Sequence, residues 1–322
     1  MNINFVLAEM TYLRYFIPLA IEAQKRQIQS NFFIGPPHGK YNCPHLKNNQ
    51  QKLTQLSKEY NFKTYPIEKS KNHPGITFLI EGVWIKQLHD NHKKIVLTYM
   101  TDYRHLYSNY IDKCDNVIFP SESFATYYDT LSDKNLYLGS PKYDTALNRN
   151  ECFESHNLNR DKKYALIIYP RYRDLHKFPI KEIIESILSR GITPIIKSRG
   201  KEPCRDKMGC LYFEDKDWFP HTTLSLLECS SLVINSGSTT IKEAIMKKRP
   251  VLNFNLKPHF HLSFLYDYAF VKNIDVGKFN QPMFKNLIES HLGQNFEKSF
   301  NQCISDHLFS RGSSKRILDK VL

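Results

Sequence analysis

The chain has 322 residues, of which 41% are hydrophobic and 13% aromatic, and its formal net charge is +13. This composition is typical of a globular protein with a substantial core, and the length is sufficient for two ordinary domains. No apolar run is long enough to span a bilayer. The opening sequence MNINFVLAEM lacks a basic region followed by a long apolar stretch, so it predicts a first strand and not a signal peptide.

The charge and the cysteines limit the expected partners and compartment. Lysine and arginine occur in doublets and triplets, and the sequence contains no recognised nucleic-acid module, so nucleic acid is not an expected partner. A basic surface remains compatible with an anionic membrane face or a phosphorylated substrate. The seven cysteines are scattered without a C-x-x-C pair, which favours reduced thiols in the cytoplasm. Peripheral contact with the inner face of the membrane stays open.

Apolar runs and helical patterns alternate through the first half of the chain. In chain order, strands are predicted in INFVLAE, SNFFIGPP, GITFLIEG, KKIVLTYM, NVIFPS and NLYLGSPKYD. Helices are predicted in TYLRYFIPLAIEAQKRQ, in LTQLSKEYNF and on both sides of NVIFPS. Such an alternation is typical of a parallel α/β sheet.

A polar segment, residues 148–163, interrupts the pattern and is interpreted as a linker. The alternation then restarts with strands in YALIIYP, TPIIKSRG, LYF, SLVINSG and PVLNF. The intervening helices are IKEIIESILSRG, TTLSLLECS and TIKEAIMKK, and SSKRILDKVL is a final helix. The sequence therefore predicts two α/β domains, residues 1–152 and 153–322. Ligands of such sheets bind at the carboxyl ends of the strands, so we expect a cleft between the domains to hold the site.

A hydroxyl-rich turn separates the strand SLVIN from the next helical pattern. It consists of Ser236, Gly237, Ser238, Thr239 and Thr240. The glycine allows a sharp turn and a close approach to a ligand, and free backbone N–H groups at a helix start favour an anion. A carboxylate at Glu243 could accept hydrogen bonds from the two hydroxyls of a ribose. The alternative is a capping box formed by Thr240 and Glu243, without any ligand.

Basic side chains follow two strands of the second half. Arg171 and Arg173 come after YALIIYP, and Lys197 and Arg199 lie in TPIIKSRG. Guanidinium groups match phosphate oxygens, so these cations are candidates for contacts with the same anionic ligand. The alternative is an ordinary set of solvated surface cations.

Candidate proton acceptors lie in the first half. Glu9 ends the first strand, and Asp102 and His105 follow the strand KKIVLTYM. An acid or a histidine at a strand end can take a proton from a hydroxyl. The alternatives are a buried structural acid for Glu9, a helix N-cap for Asp102 and a surface histidine for His105. His259 and His261 have side chains that suit zinc but no third ligand, so no metal is expected.

The segment SGSTTIKEAIMKKRPVLNF is similar to the donor-site motif of GT-B glycosyltransferases and UDP-GlcNAc 2-epimerases. FVLAEMTYLRYFIPLAIEAQKR resembles the first strand and helix of that fold. DNVIFPSESFATYY and NLYLGSPKYD resemble the segment that carries a Gly-x-Pro-x-x-Asp signature in epimerase-like and polyol-phosphate-transferase-like members. The resemblance implies two Rossmann-like parallel-sheet domains facing a cleft, the GT-B arrangement. The turn would hold the donor phosphates and Glu243 the ribose, while Phe219 would pack on the base or else act as a hydrophobic staple.

The resemblance further implies a transferase that moves a sugar from a nucleotide-activated donor to a glycan or lipid-linked acceptor, with no metal or other cofactor. Related enzymes commonly have a His-Gly pair after the first strand as the base, whereas this chain has Glu9-Met10-Thr11, so Glu9 or Asp102 is expected to replace it. Three alternatives stay open: a UDP-GlcNAc 2-epimerase-like enzyme, a CDP-activated polyol-phosphate transferase and a non-catalytic nucleotide-sugar-binding protein. The turn lacks the Asp, the second Gly and the paired Glu of the epimerases, which argues against the first.

Overall fold

The computed structural model describes residues 2–35, 49–99, 104–127, 129–198, 202–204, 207–214, 219, 221–256, 262–307 and 311–322, with the backbone alone for 104–106. The chain divides into two compact units. Unit 1 comprises Met1–Thr145 and Asp306–Leu322, and unit 2 comprises Ala146–Ser305. The division therefore falls before the predicted boundary at residue 152, and the end of the chain packs in unit 1 and not in unit 2.

Each unit contains one parallel β-sheet. The strands of unit 1 are β1 (Asn2–Leu7), β2 (Gln29–Ile34), β3 (Phe62–Pro66), β4 (Gly75–Ile80), β5 (His92–Leu97), β6 (Asn116–Phe119) and β7 (Asn135–Tyr137). Those of unit 2 are β8 (Tyr164–Ile168), β9 (Thr193–Ser198), β10 (Leu211–Glu214), β11 (Leu232–Asn235), β12 (Val251–Phe254) and β13 (Val271–Ile274). The predicted α/β class with two parallel sheets is confirmed.

The strand order reverses once in each sheet. It is β3-β2-β1-β4-β5-β6-β7 in unit 1 and β10-β9-β8-β11-β12-β13 in unit 2. The reversal lies between β1 and β4 in the first sheet and between β8 and β11 in the second. Open α/β sheets bind ligands at the carboxyl ends of the two strands that flank this switch point.

Helices accompany the strands throughout. They are α1 (Leu13–Lys25), α2 (Gln50–Glu59), α3 (Arg104–Tyr110), α4 (Glu122–Tyr127), α5 (Arg149–Ser155), α6 (Tyr172–Leu175), α7 (Ile180–Leu188), α8 (Thr222–Cys229), α9 (Thr240–Met246), α10 (Gln281–Leu292), α11 (Glu297–His307) and α12 (Ser313–Val321). None of the described helices is long and apolar enough to cross a membrane.

Helix α5 lies inside the segment interpreted as a linker, so that interpretation is wrong for residues 149–155. Asn148 starts the helix by accepting a hydrogen bond from the backbone N–H of Asn150, at 2.9 Å. Cys152 and Phe153 are buried on its inner face. A capped helix with two apolar contacts needs few large side chains, which explains why the polar composition concealed it.

A row of buried polar side chains crosses the sheet of unit 1. Asn31 Nδ2 donates to Asn4 Oδ1 at 3.0 Å, and Asn4 Nδ2 donates to Thr77 Oγ1 at 3.4 Å. These residues are register partners on β2, β1 and β4. The row continues to His92, whose Nδ1 lies 2.7 Å from Thr77 Oγ1. Since buried polar groups need partners, this row stabilises one register of the strands.

A second row crosses the sheet of unit 2. Asn235 Nδ2 donates to Asn253 Oδ1 at 2.8 Å, and Asn253 Nδ2 donates to Asn273 Oδ1 at 3.0 Å. The three residues are register partners on β11, β12 and β13. Asn235 and Asn253 are fully buried, whereas Asn273 on the edge strand is exposed. This row therefore ends at water, unlike the row of unit 1.

The predicted final helix is present as α12, and Asp144 fixes its first turn. The carboxylate of Asp144 accepts hydrogen bonds from the backbone N–H groups of Gly312 (2.7 Å), Ser313 (3.0 Å) and Ser314 (2.5 Å). Asp144 is the last residue of the Gly-Ser-Pro-x-x-Asp segment singled out in the sequence. In unit 1 this aspartate therefore caps a helix that is distant in sequence.

Candidate functional site

The hydroxyl-rich turn lies directly after β11, at the switch point of the second sheet. Ser236 Oγ donates to the backbone oxygen of Ile168, the last residue of β8, at 3.1 Å. Gly237 has φ 65°, a left-handed conformation that glycine adopts without steric cost. Ser238 Oγ lies 3.1 Å from Thr240 Oγ1 and accepts a 3.4 Å hydrogen bond from the Thr240 N–H. The turn thus joins the carboxyl ends of the two strands that flank the switch point.

Helix α9 begins immediately after the turn. Its N-cap is Thr239, which makes no side-chain capping hydrogen bond. The capping-box alternative required Thr240 at the N-cap, but Thr240 is the first residue of the helix. Glu243 lies in the first turn of α9 with only 2% of its surface exposed. Its predicted contact with a ribose stays a prediction, and it requires access to a carboxylate that is buried here.

Arg171 follows β8 at the same edge of the sheet, where it occupies the N-cap of α6. Its side chain is half-buried, and among the described residues its buried Nε has no hydrogen-bond partner. Leaving a buried donor unpaired is unfavourable by about 1–3 kcal/mol, and more for a charged group. An anionic acceptor such as a phosphate oxygen would satisfy it. Since β8 and β11 are neighbours, Arg171 and the turn both border the switch point.

The other predicted cations have different surroundings. Arg173 is 65% exposed and forms an ion pair with Asp174, with Nε and Oδ2 3.6 Å apart. Lys197 lies inside β9 and is buried, and its backbone oxygen accepts a hydrogen bond from the Tyr169 N–H at 3.0 Å. Arg199 lies outside the described residues. The three of these cations that the structure describes therefore do not form one equivalent set, and among them Arg171 is the one with an unsatisfied buried donor.

Phe219 is a described residue in the segment that precedes α8. Only 4% of its surface is exposed, so its ring belongs to the interior of unit 2. The residues that flank it in the sequence, 218 and 220, lie outside the described residues. Packing of Phe219 on a nucleotide base stays a prediction, as does the hydrophobic staple.

Glu9 lies at the switch point of the first sheet, two residues after the end of β1. It is half-buried and its Oε2 accepts a 3.1 Å hydrogen bond from the hydroxyl of Thr11. Asp102 lies outside the described residues, and His105 lies in α3, where the backbone alone is described. The catalytic roles of all three stay predictions, and Glu9 is the candidate whose surroundings are known.

A second acid, Glu81, occupies the same switch point and was missed by the sequence analysis. It follows β4 directly, with φ 49°. Its Oε1 accepts a 2.6 Å hydrogen bond from the Tyr99 N–H, and its Oε2 accepts a 3.3 Å bond from the Tyr110 hydroxyl. Burial, followed by the charge of Glu81, raises the pKa of Tyr110. The sequence signal for Glu81 was the Glu-Gly pair at the end of the predicted strand GITFLIEG. This strand lies next to the strand that leads into Glu9.

The described part of the chain was expected to hold no metal. No group of three or more His, Cys, Asp or Glu side chains within it could hold a metal ion. His259 and His261 lie outside that part. The expectation that no metal or other cofactor is used therefore stays a prediction.

Solved structures share the fold over nearly the whole chain. The glycotransferase of kitacinnamycin is 9% identical, with 99% of this chain and 97% of that chain covered and a TM-score of 0.63. The UDP-GlcNAc 2-epimerase of Methanocaldococcus jannaschii, in complex with UDP-GlcNAc and UDP, is 12% identical (100% and 99% covered, TM-score 0.58). A variant of the wall teichoic acid polymerase TagF soaked with CDPG is 13% identical (99% and 87% covered, TM-score 0.62).

At sequence level the chain gives no such matches. No protein-family model matches it. The comparison with curated proteins likewise gives no match. At identities of 9–14% the structural similarity establishes the fold alone. The chain therefore has two Rossmann-like units of the GT-B type, the fold that glycosyltransferases and UDP-GlcNAc 2-epimerases share.

Proposed function

We propose that the protein is a glycosyltransferase that moves a sugar from a nucleotide-activated donor to a glycan or lipid-linked acceptor. The observation that carries the proposal is the arrangement at the switch point of unit 2. A glycine-containing hydroxyl turn is tied to β8 there, and the neighbouring Arg171 has a buried donor in need of an acceptor. Hydroxyl groups, backbone N–H groups and a guanidinium together suit the diphosphate of a nucleotide sugar.

The fold relatives support the same ligand class. One was solved with UDP-GlcNAc and UDP, and another was soaked with CDPG. The proposal gives the donor to unit 2 and the acceptor to unit 1. In the cytoplasm, such an enzyme would meet a lipid-linked acceptor at the inner face of the membrane, and the +13 charge suits contact with anionic lipid.

The proposed reaction uses Glu9 as the proton acceptor. The acceptor hydroxyl loses its proton to the Glu9 carboxylate as its oxygen bonds to the anomeric carbon of the donor sugar. The bond between that carbon and the diphosphate oxygen breaks, and the nucleoside diphosphate leaves with the bonding electrons. Arg171 and the N–H groups of the turn stabilise the negative charge that develops on the leaving group.

Nucleotide binding is the first test. Thermal shifts of the purified protein would be measured with UDP, CDP, GDP, ADP, dTDP and CMP, because a ligand that binds only the folded state raises the melting temperature. One nucleoside diphosphate is expected to give a clear shift. Arg171→Ala should weaken its affinity roughly 10- to 100-fold, the loss of a charge-assisted hydrogen bond.

The matched control is Arg173→Ala, which removes the same charge from an exposed ion pair. Its effect should stay within about threefold. Equal losses in the two variants would mean that only general electrostatic attraction is involved, and no shift with any nucleotide would remove the donor site. The non-catalytic alternative predicts a shift without turnover. The epimerase alternative predicts conversion of the donor sugar in the absence of any acceptor.

A further inference from the structure

Unit 2 has a cavity at the end of the sheet opposite the turn. Its volume is about 520 Å³. Lys163, Ser231 and Pro250 line it, and each directly precedes a strand (β8, β11 and β12). It therefore lies at the amino ends of the strands, whereas Arg171 and the turn lie at their carboxyl ends. This cavity is distinct from the proposed donor site.

Four cationic side chains line this cavity, which we call the basic cavity. They are Arg149, Lys163, Lys248 and Arg249. Glu297 is the one acid of the lining, and it forms an ion pair with Lys248. Arg149 and Lys163 are exposed, and no described carboxylate lies within ion-pair distance of either. The lining thus carries a clear excess of positive charge.

Arg249 is the half-buried cation of this group, and a neighbouring cation repels it. Arg249 donates from Nε to the backbone oxygen of Leu227 at 2.9 Å and lies 3.7 Å from Glu228. Glu228 also forms an ion pair with Lys247, so its charge is shared between two cations. Burial and then the positive charge of Arg149 lower the pKa of Arg249, against the attraction of Glu228. An anion in the basic cavity would relieve this repulsion.

The remaining lining indicates what kind of anion fits. Helix α11 begins at Glu297, and the first turn of this eleven-residue helix borders the cavity. Gln294 offers an amide group and Asn295 its Nδ2, since Asn295 Oδ1 already accepts a 2.9 Å hydrogen bond from the Glu297 N–H. Phe296 and Leu292 form an apolar wall. A cavity of about 520 Å³ is far larger than a single inorganic ion and has the size of sites for small organic molecules.

We propose that the basic cavity binds a phosphate ester with a hydroxylated body, such as a glycerol phosphate or a sugar phosphate. The cations, above all the exposed Arg149 and Lys163, would hold the phosphate, and the amide groups of Gln294 and Asn295 would meet the hydroxyl groups. The ester could be free in solution or could be the headgroup of an anionic phospholipid. The basic cavity would bind this ligand whether or not the carboxyl ends of the strands hold a nucleotide sugar.

The test uses two probes that separate these sources. Binding of glycerol 3-phosphate would be measured by calorimetry with glycerol as the neutral control, and phosphatidylcholine vesicles with and without phosphatidylglycerol would be cosedimented with the protein. Arg149→Ala combined with Lys163→Ala should weaken binding about tenfold or more, because both groups are exposed and their charge-assisted bonds are lost. The control, Lys181→Ala with Lys272→Ala, removes two exposed charges of unit 2 outside the lining.

Binding of glycerol 3-phosphate that only the cavity variant loses would support a free phosphate ester. Binding restricted to phosphatidylglycerol vesicles, and lost in that variant alone, would support the lipid headgroup. The proposal is overturned if the native protein binds neither probe, if the cavity variant binds as the native protein does, or if the control weakens binding equally. Failure here would leave the nucleotide shift intact, so the two proposals can fail separately.

Discussion

The two units place opposite chemistry at the same point of the same kind of sheet. In unit 2, β8 and β11 lead into Arg171 and a hydroxyl-rich turn, which together offer donors to an anion. In unit 1, β1 and β4 lead into Glu9 and Glu81, which offer carboxylate acceptors. Strand order therefore fixes where a ligand can bind, whereas the first residues after the strands fix its charge.

The largest expected effect separates proton transfer from binding. With the donor identified by the nucleotide panel, Glu9→Gln should lower kcat roughly 10²- to 10⁴-fold, the usual contribution of a general base, while nucleotide affinity stays unchanged. Steady-state kinetics and calorimetry on the same variant would measure both quantities. Glu68→Gln, an exposed glutamate of unit 1, serves as the control. Full activity of Glu9→Gln would show that Glu9 is not the proton acceptor. The two switch points would then not differ in the way described above.

The buried polar rows give the next effect. Asn4→Ala should destabilise unit 1 by about 3 kcal/mol, because Asn31 loses its buried acceptor and Thr77 loses a donor. Asn253→Ala should cost about 2 kcal/mol in unit 2, because the buried Asn235 loses its acceptor, whereas water can replace the donor that the exposed Asn273 loses. Denaturant unfolding monitored by hydrogen exchange would assign each loss of stability to its unit. Equal losses would show that water at the edge strand does not compensate.

Helix capping by aspartate differs between the units and gives a smaller effect. Asp144→Ala should cost unit 1 about 1–2 kcal/mol, because three backbone N–H groups of α12 lose their acceptor. Asp275→Ala removes one such bond, to Gly277, and should cost unit 2 about 0.5 kcal/mol. Trp84 reports on unit 1 alone in a Trp218→Phe background, because the chain has two tryptophans. A larger loss for Asp275→Ala would contradict the capping role of Asp144.

The smallest effect is a dependence of stability on pH. Burial lowers the pKa of His92 and His307 in unit 1 and of His291 in unit 2. A histidine with a lowered folded pKa binds more protons when unfolded, so its contribution is complete above about pH 6.5 and is lost as the pH falls. Between pH 7.5 and 5.5, unit 1 should therefore lose more stability than unit 2.

Two variants test this dependence on pH. His307→Gln can keep a hydrogen bond to Ser123, whose Oγ lies 2.7 Å from His307 Nδ1, and should flatten the dependence of unit 1. His89→Gln changes an exposed histidine and should leave it unaltered. The free energy of unfolding of unit 1 would be measured in denaturant at both pH values. An identical slope in the His307 variant would remove that residue from the explanation.

Sequence patterns predicted most of the strands because buried parallel strands are nearly continuous apolar runs. They did not predict the two edge strands β3 and β13, whose sequences FKTYP and VKNI contain few buried residues. They also did not predict that Glu81 would accept bonds from Tyr99 and Tyr110, because those partners come from other elements. Local patterns carry periodicity and turn chemistry, whereas these contacts depend on tertiary packing.

The hydroxyl turn shows the same limit within the candidate site. Its position after a strand and the need for Gly237 could be predicted from the sequence, since both are local features. The different surroundings of the cations could not be predicted, because the ion pair of Arg173 and the burial of Lys197 depend on side chains that folding brings together. The same reason hid the role of Asp144, whose partners follow it by more than 160 residues.

The contact of Asp144 with α12 also affects the order in which the two units can fold. Unit 2 is one continuous stretch, whereas unit 1 needs residues 306–322, which the ribosome makes after all of unit 2. Helix α12 packs on α1, so this face of α1 stays uncovered while the chain is being made. Domains generally fold in the order in which they are translated. In this protein the second unit can complete its packing before α12 emerges, and until then the side of α1 that α12 covers stays exposed in the nascent first unit.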